Sequence, residues 1–364
     1  MIPDLSHLRI SFVAGTLAQG GSERQLYYMA RSLARAGATT QVLCLTQGEF
    51  WQDKIEATGV QVQWVGRNPS KLARLAAIIK EVRRFRPSVL QSQHFYTNPY
   101  VLFAARWLGI PEVGAIRSAT NWAVVRNAAF LRKFSLLRLR HIAANSQQSI
   151  DEAIQLGVPA ERLTLLPNVI DLSLFHPLET PPAGPIELLS VGRLGPEKRH
   201  DIFLKVLAGA RARSTYPVTG RIVGSGNLRE TLEKQAAGLG LTSEALTFSG
   251  SVADMPAVYQ KAGMLVLSSD HEGSPNVVLE AMASGLPVVA TRVGGVPDLI
   301  EHERTGFICP PGDDSALCEA VLRLTDNPDL RRAMGQRARC MTEKSHSDSL
   351  LPLWLRDLYG TTIS

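Results

Sequence analysis

The chain is poor in cysteine, in long apolar runs and in common nucleotide-binding fingerprints, and each lack removes a class of protein. Cys44, Cys309, Cys318 and Cys340 are the only cysteines in 364 residues. Without a paired Cys-x-x-Cys spacing they indicate neither a disulfide framework nor a zinc site. No uninterrupted apolar stretch approaches the roughly 18 residues of a membrane span, and none follows a basic start, so the expected location is the cytosol. No Gly-x-Gly-x-x-Gly follows the first strand-like run, and the second such run, 40–45, does not end in an acid that would hold an adenosine ribose. Both lacks argue against a nicotinamide dehydrogenase.

What is present is an ordinary globular composition, 45% hydrophobic and 20% charged, long enough for two domains with a core each. The net charge of +6 is uneven: residues 1–180 hold 20 Lys and Arg against 12 Asp and Glu, whereas residues 181–364 hold 19 against 21. The excess gathers in 71–86 (Lys71, Arg74, Lys80, Arg83, Arg84 and Arg86 against Glu81) and in 126–140 (Arg126, Arg132, Lys133, Arg138 and Arg140, with no acid). The second stretch adds Phe130, Phe134, Leu136 and Leu137. This amphipathic pattern fits either an anionic membrane surface, with the protein peripheral at its inner face, or a solvated helix face. No reading motif accompanies the charge, so nucleic acid is not an expected partner.

Short β-rich runs alternate with helical patterns throughout, which predicts parallel sheets wound on both faces. Strands are expected at 8–13, 40–45, 60–65, 89–92, 113–116 and 142–144, and again at 186–191, 218–223, 246–249, 264–267, 287–291 and 306–308. Four prolines in 175–185 mark a linker between two domains, 1–174 and 186–345. Helices are expected at 331–344 and 348–358. In such sheets, ligands bind beyond the carboxyl ends of the strands.

The loop after the 264–267 run reads Glu272-Gly-Ser-Pro-Asn-Val-Val-Leu-Glu280. Ser274 as N-cap and Pro275 at the first helical position predict a helix that carries Glu280 on an otherwise apolar stretch. A carboxylate in that setting is costly unless hydrogen-bonded, and helical side chains lean toward the N-terminus, so Glu280 is aimed back at the helix start, where a vicinal diol would satisfy it. Amides at Gly273, Ser274, Asn276 and Val277 would attract an anion such as a diphosphate, leaving Glu272 to face whatever the phosphate carries. Elsewhere, Arg193 ends a strand and Lys198 opens a helix, two cations in one loop. Ser22 and Gln25 form a Ser-x-x-Gln capping box behind Gly20-Gly21, and Gly224-Ser225-Gly226 occupies the corresponding turn of the second half.

In sequence order, Gly20-Gly21-Ser22-Glu23-Arg24, Gln91 to Asn98, Leu166 to Asp171, Ser190 to Arg193 with Glu197-Lys198, Val223 to Gly226, and Glu272 to Glu280 resemble family 4 of the retaining glycosyltransferases, which carry a Glu-x7-Glu motif. The resemblance covers nearly the whole chain. It implies the GT-B fold: α/β, two doubly wound Rossmann-like domains facing a central cleft, with an N-terminal acceptor domain, a C-terminal nucleotide-sugar domain and a final helix, 346–360, crossing back onto the first. It implies that Arg193 and Lys198 clamp the diphosphate, that Glu280 binds ribose, and that Glu272 binds hydroxyls of the sugar. His94 would contact the transferred sugar, with Tyr96 and Asn98 nearby and His271 within reach. Gly20 and Gly21 would border the diphosphate and the acceptor, and Gly224 would wall the nucleotide pocket. Val169 stands where the family commonly has glycine in Pro-Asn-Gly-Ile-Asp, so the role of Asn168 and Asp171 stays open.

The expected activity is retaining transfer of a hexose-type sugar from a nucleotide diphosphate, with uridine the expected base, to a glycan or lipid-linked glycan in polysaccharide biosynthesis. Glu272 as a covalent nucleophile is rejected on position; family members are ascribed front-face attack assisted by the departing diphosphate. The chain has no Asp-x-Asp metal ligand pair, so neither a metal nor a cofactor is expected. Arg117, Asn121 and Trp122 are the most suggestive acceptor residues. A non-catalytic nucleotide-sugar-binding or scaffold protein of the same fold is the remaining alternative.

Overall fold

Runs rich in Val, Ile and Leu that are apolar on both faces are stable as strands only where helices cover both sides of a sheet. In the computed structural model, which describes residues 2–117, 130–179 and 184–363, that is where these runs lie. The chain divides into two compact units, Met1–Val169 with Asp348–Ser364, and Ile170–Ser347. The division falls at 169/170 and 347/348, earlier than the proline-rich run 175–185; Phe175 of that run is buried in the second unit, its carbonyl accepting from Arg339. Residues 180–183 of the run lie outside the described residues.

In the first unit the order is β1 (Arg9–Ala14), α1 (Gly21–Arg35), β2 (Thr39–Cys44), α2 (Gln52–Glu56), β3 (Gln61–Trp64), α3 (Lys71–Phe85), β4 (Val89–Ser92), α4 (Asn98–Leu108), β5 (Glu112–Ile116), α5 (Phe130–Arg138), β6 (His141–Ala144), α6 (Gln147–Gln155) and β7 (Leu163–Leu165). The seven strands are parallel in the order β3-β2-β1-β4-β5-β6-β7. Strand β7 is three residues of partly exposed edge, too short and too wet to show a period in sequence. One face of the sheet is covered by α1 and by the C-terminal helix Leu351–Ile363, whose Leu355 and Tyr359 pack among Phe12, Leu26 and Met29. Tyr359 also donates to the buried Gln91 Oε1 at 2.6 Å. The opposite face is covered by α3, α4, α5 and α6.

In the second unit the order is β8 (Ile186–Val191), α7 (His200–Arg213), β9 (Val218–Val223), α8 (Arg229–Gly238), β10 (Leu246–Gly250), α9 (Met255–Lys261), β11 (Met264–Leu267), α10 (Asn276–Ala283), β12 (Val288–Thr291), α11 (Val296–Leu299), β13 (Gly306–Cys309), α12 (Asp314–Thr325) and α13 (Pro328–Ser345). Its six parallel strands run β10-β9-β8-β11-β12-β13. Each sheet therefore reverses its winding at one place, between β1 and β4 in the first unit and between β8 and β11 in the second. Loops diverge there and leave a crevice at the carboxyl ends.

Two predicted helix starts are shifted. The N-cap of α1 is Gly20, in extended backbone, and Ser22 lies inside the helix. Gln25 does not reach back to cap it; its side chain bridges the N–H and C=O of Val169 at 3.0 and 2.8 Å. The N-cap of α10 is Pro275, with Asn276 the first helical residue, so Ser274 sits one position further out than expected. All four cysteines are free thiols.

Candidate active site

In the second unit, the loops after β8 and β11 meet at the winding reversal. Lys198, at the end of a short 3₁₀ turn (Pro196–Lys198), reaches across to Glu272, Nζ to Oε1 2.6 Å. Ser269 Oγ donates to the same oxygen at 2.6 Å. The Glu272 side chain is only 7% exposed, so the pair is largely shielded from solvent, where a lost partner leaves a costly buried charge. Glu272 Oε2 takes no bond from a described residue. Glu280, one turn into α10, is 2% exposed on the apolar side of the helix. The spacing of the two acids thus puts one in a loop against a cation and the other within the helix that follows.

Contacts from neighbouring loops hold this segment in place. Asp270 N–H donates to the Glu197 carbonyl at 2.9 Å, and Ser268 Oγ donates to the Arg199 carbonyl at 2.8 Å. Arg199, in left-handed backbone with φ 49°, ties Asp201 and Asp270 together, and those carboxylates push its pKa up. The Val293-Gly294-Gly295 turn after β12 lies against the Glu272 and Gly273 backbone: Gly295 N–H donates to the Gly273 carbonyl, and a Cβ on Gly294 would fall 1.9 Å from the Glu272 oxygen. Sequence reading missed this turn, although a Gly-Gly step directly after a strand is the signal that marks it.

Arg193 does not join Lys198. Its side chain is 74% exposed and folds onto Glu197, Nη2 to Oε1 2.6 Å, which lowers the Glu197 pKa. The expected two-cation clamp is therefore one buried-pair lysine and one solvent-facing arginine. Gly224 is explained by its own backbone: with φ 140°, a Cβ there would lie 1.9 Å from the Gly192 oxygen. The Gly224-Ser225-Gly226 turn packs backbone to backbone on the Gly192–Leu194 loop, with Leu194 N–H donating to the Ser225 carbonyl at 2.9 Å. Beneath that loop His200 is buried, its Nδ1 3.1 Å from Ser190 Oγ, and burial lowers its pKa.

In the first unit, the loops after β1 and β4 meet in the same topological place. His94 Nδ1 accepts the Gly15 N–H at 3.1 Å, so its ring proton lies on Nε2, which is 2.8 Å from Glu23 Oε1. Both groups are buried, His94 at 5% and Glu23 at 7% exposure. Glu23 stands in the first turn of α1, where the helix dipole favours a carboxylate, and its Oε2 leans over Gly20. Tyr96 stacks on the His94 ring at 5.1 Å and covers Gly15; burial, with Glu23 next in weight, pushes its phenol up to about 12. Gly20 and Gly21 thus border a His–Glu pair in which both His94 nitrogens are already engaged.

Asn98 and Arg117 have their side chains used inside the unit. Asn98 binds both backbone groups of Ala115. Arg117 is 4% exposed and donates to the Leu166 carbonyl and to Asn168 Oδ1, both at 3.1 Å; burial lowers its pKa to about 10. Asn121 and Trp122 lie outside the described residues. Asn168 and Asp171 have local structural tasks, since Asp171 accepts from the Ser173 N–H and hydroxyl.

Two doubly wound parallel sheets, with a cation–carboxylate pair at the reversal point of the second, make up the GT-B glycosyltransferase architecture. A family model for glycosyltransferase family 4 matches residues 19–174 and one for glycosyl transferases group 1 matches 176–341. The chain belongs to glycosyltransferase family 4. It is 29% identical over 307 residues to a sulfoquinovosyl transferase of Arabidopsis thaliana, covering 76% of this chain and 57% of that one. It is 26% identical over 373 residues to a D-inositol 3-phosphate glycosyltransferase of Saccharomonospora viridis, covering 89% and 85%. An Anabaena protein, HepE, solved in complex with UDP-glucose, superposes with a TM-score of 0.84 at 21% identity over 96% of this chain and 99% of that one.

Proposed function

We propose that this glycosyltransferase moves a hexose-type sugar, with retention, from a UDP-linked donor to a glycan or lipid-linked glycan in polysaccharide biosynthesis, without a metal ion. The observation that carries the reading is the shielded Lys198–Glu272 pair at 2.6 Å, with the start of α10 and Glu280 directly after it in the chain. A lysine held by one carboxylate oxygen can turn to a diphosphate while Glu272 exchanges that bond for sugar hydroxyls. The amides around Gly273, Ser274, Asn276 and Val277, together with Lys198 and the exposed Arg193, would supply the positive field that a metal provides elsewhere. Glu280 is assigned to the ribose hydroxyls. Similar solved structures that hold UDP or UDP-glucose support uridine as the base.

In the proposed step the bond from C1 of the sugar to the diphosphate oxygen breaks, and the diphosphate leaves with the electron pair. The acceptor hydroxyl oxygen bonds to C1 from the same face and passes its proton to the departing diphosphate. Charge grows on the diphosphate in the transition state, so donors aimed at it accelerate the reaction. His94, already bonded to Glu23 and Gly15, is assigned to shaping the sugar's surroundings and carries no proton in this step.

The test is thermal shift of the wild type and of Glu280→Ala against UDP, GDP, ADP and their sugar conjugates in chelator, followed by release of sugar from whichever donor binds. Stabilisation of the wild type alone by UDP compounds is expected. Binding that requires added divalent ion, or equal stabilisation of the variant, would sink the assignment. Tight binding without turnover for any acceptor would favour the non-catalytic alternative.

A further inference from the structure

In the first unit, three helices that carry much of its positive charge lie over one face of the sheet. Helices α3, α4 and α5 lie side by side over the same side of the sheet, with α4 in contact with both others. Along α4, the exposed Phe103 and Trp107 are four residues apart and form one ridge, Trp107 at 73% exposure. Leu72 on α3 is 78% exposed and Leu131 on α5 is 47% exposed. The same three helices expose Lys71, Lys80, Arg83 and Arg84 of α3, Arg106 of α4, which also donates to the Arg138 carbonyl and pairs with Glu112, and Arg132, Lys133 and Arg138 of α5. Glu81 is the one acid of the three helices.

Helix stability explains only part of this charge. Arg83, Arg84, Arg106 and Arg138 occupy last turns, where the dipole favours cations. Lys71 and Arg74 occupy the first turn of α3, which holds no acid, and there the dipole opposes them. Trp107 and Phe103 form an exposed apolar ridge on the helix that lies between two basic ones, the pattern of an apolar patch with a polar rim that marks an interaction site.

We infer that the α3–α4–α5 face is a docking surface for an anionic lipid bilayer. Phe103 and Trp107 enter the headgroup layer, where an indole is favoured, while the flanking Lys and Arg stems lie along the apolar boundary with their charges on phosphate groups. The sequence pattern pointed at α3 and α5; the α4 ridge that joins them is visible only in the fold. The inference is independent of the donor assignment, since none of these residues is placed in the donor site.

The experiment is co-flotation of the full chain with vesicles of phosphatidylcholine, and of phosphatidylcholine with about 30% phosphatidylglycerol, at low and high salt. Binding to the anionic vesicles alone, lost at high salt, is expected. Each cation at such a surface contributes on the order of fivefold in partitioning, so Arg83→Glu with Arg84→Glu lowers binding at least ~25-fold. Phe103→Ala with Trp107→Ala lowers it about tenfold. Lys71→Glu guards against misfolding: it relieves the dipole conflict, so its melting temperature is held or raised while vesicle binding falls. Equal binding to neutral and anionic vesicles at low salt, retention on duplex DNA without vesicle binding, or full binding by the charge-reversed variants would overturn the proposal.

Discussion

The two winding reversals have the same topology and opposite chemistry. Between β8 and β11 a lysine and a glutamate face each other with one carboxylate oxygen unclaimed among the described residues. Between β1 and β4 a histidine and a glutamate face each other with both ring nitrogens in use. The first arrangement can exchange partners because ammonium and carboxylate each find equivalent partners in a diphosphate and a sugar. The second is closed, because moving His94 would strand the Gly15 N–H and the buried Glu23 carboxylate together. Equivalent positions in two doubly wound sheets thus hold one pair with an open carboxylate oxygen among the described residues and one pair that is fully engaged.

The comparison is broken most directly at Lys198. Lys198→Ala leaves Glu272 shielded without its cation, and turnover of the donor is expected to fall on the order of 10²–10³-fold, read as kcat in sugar release. If kcat holds and only KM rises, the lysine serves binding alone. Next in size is Gly224→Ala: φ of 140° and a Cβ 1.9 Å from the Gly192 oxygen predict a loss of about 2–4 kcal/mol in chemical denaturation. His94→Ala should act on the first unit mainly through stability, by about 1–3 kcal/mol for the two stranded groups. A far larger fall in kcat than in stability would show that the pair touches the reacting sugar.

Glu49, beside the β1 loop, sharpens the contrast at low pH. Burial alone would raise its pKa, but bonds from Thr46, Leu17 and Thr16 outweigh it and hold the value below the ordinary 4.5. A depressed carboxyl stabilises the fold fully above the ordinary value and loses that contribution as pH falls through the folded one. Glu49→Gln should therefore flatten the acid limb of a stability-versus-pH curve below about 4.5 and, near neutrality, lower stability by a constant amount with no change of slope. The smallest effect belongs to Arg193→Ala, whose exposed pair with Glu197 contributes within about 0.5 kcal/mol to stability. A weaker UDP-dependent thermal shift in that variant is the expected sign that Arg193 serves the donor site.

The central strand runs could be read from the chain because a strand in a covered parallel sheet must be apolar on both faces, and that demand is local, whereas the edge strands β3 and β10 are partly exposed and carry the signal more weakly. The Glu272 to Glu280 segment was legible for a related reason, since loop, proline and helix follow one another without interruption. Expectations failed where a side chain's partner is distant in sequence. Gln25 looks like a cap until Val169, 144 residues on, claims it. Arg117 looks free until Leu166 and Asn168 close over it. Arg193 and Lys198 look alike as loop cations, yet only the approach of the β11 loop decides which of them meets Glu272.

By itself, the sequence determined the class of fold, the order of its strands along the chain and the family to which the chain belongs, since periodicity, turn residues and motif order are properties of neighbours. Tertiary structure alone decided which groups are paired, which are walled in and which face solvent. Hydrogen bonds and ion pairs join residues by distance in space, and parallel sheets bring together loops that are 70 or more positions apart, as with Lys198 and Glu272 or Glu23 and His94.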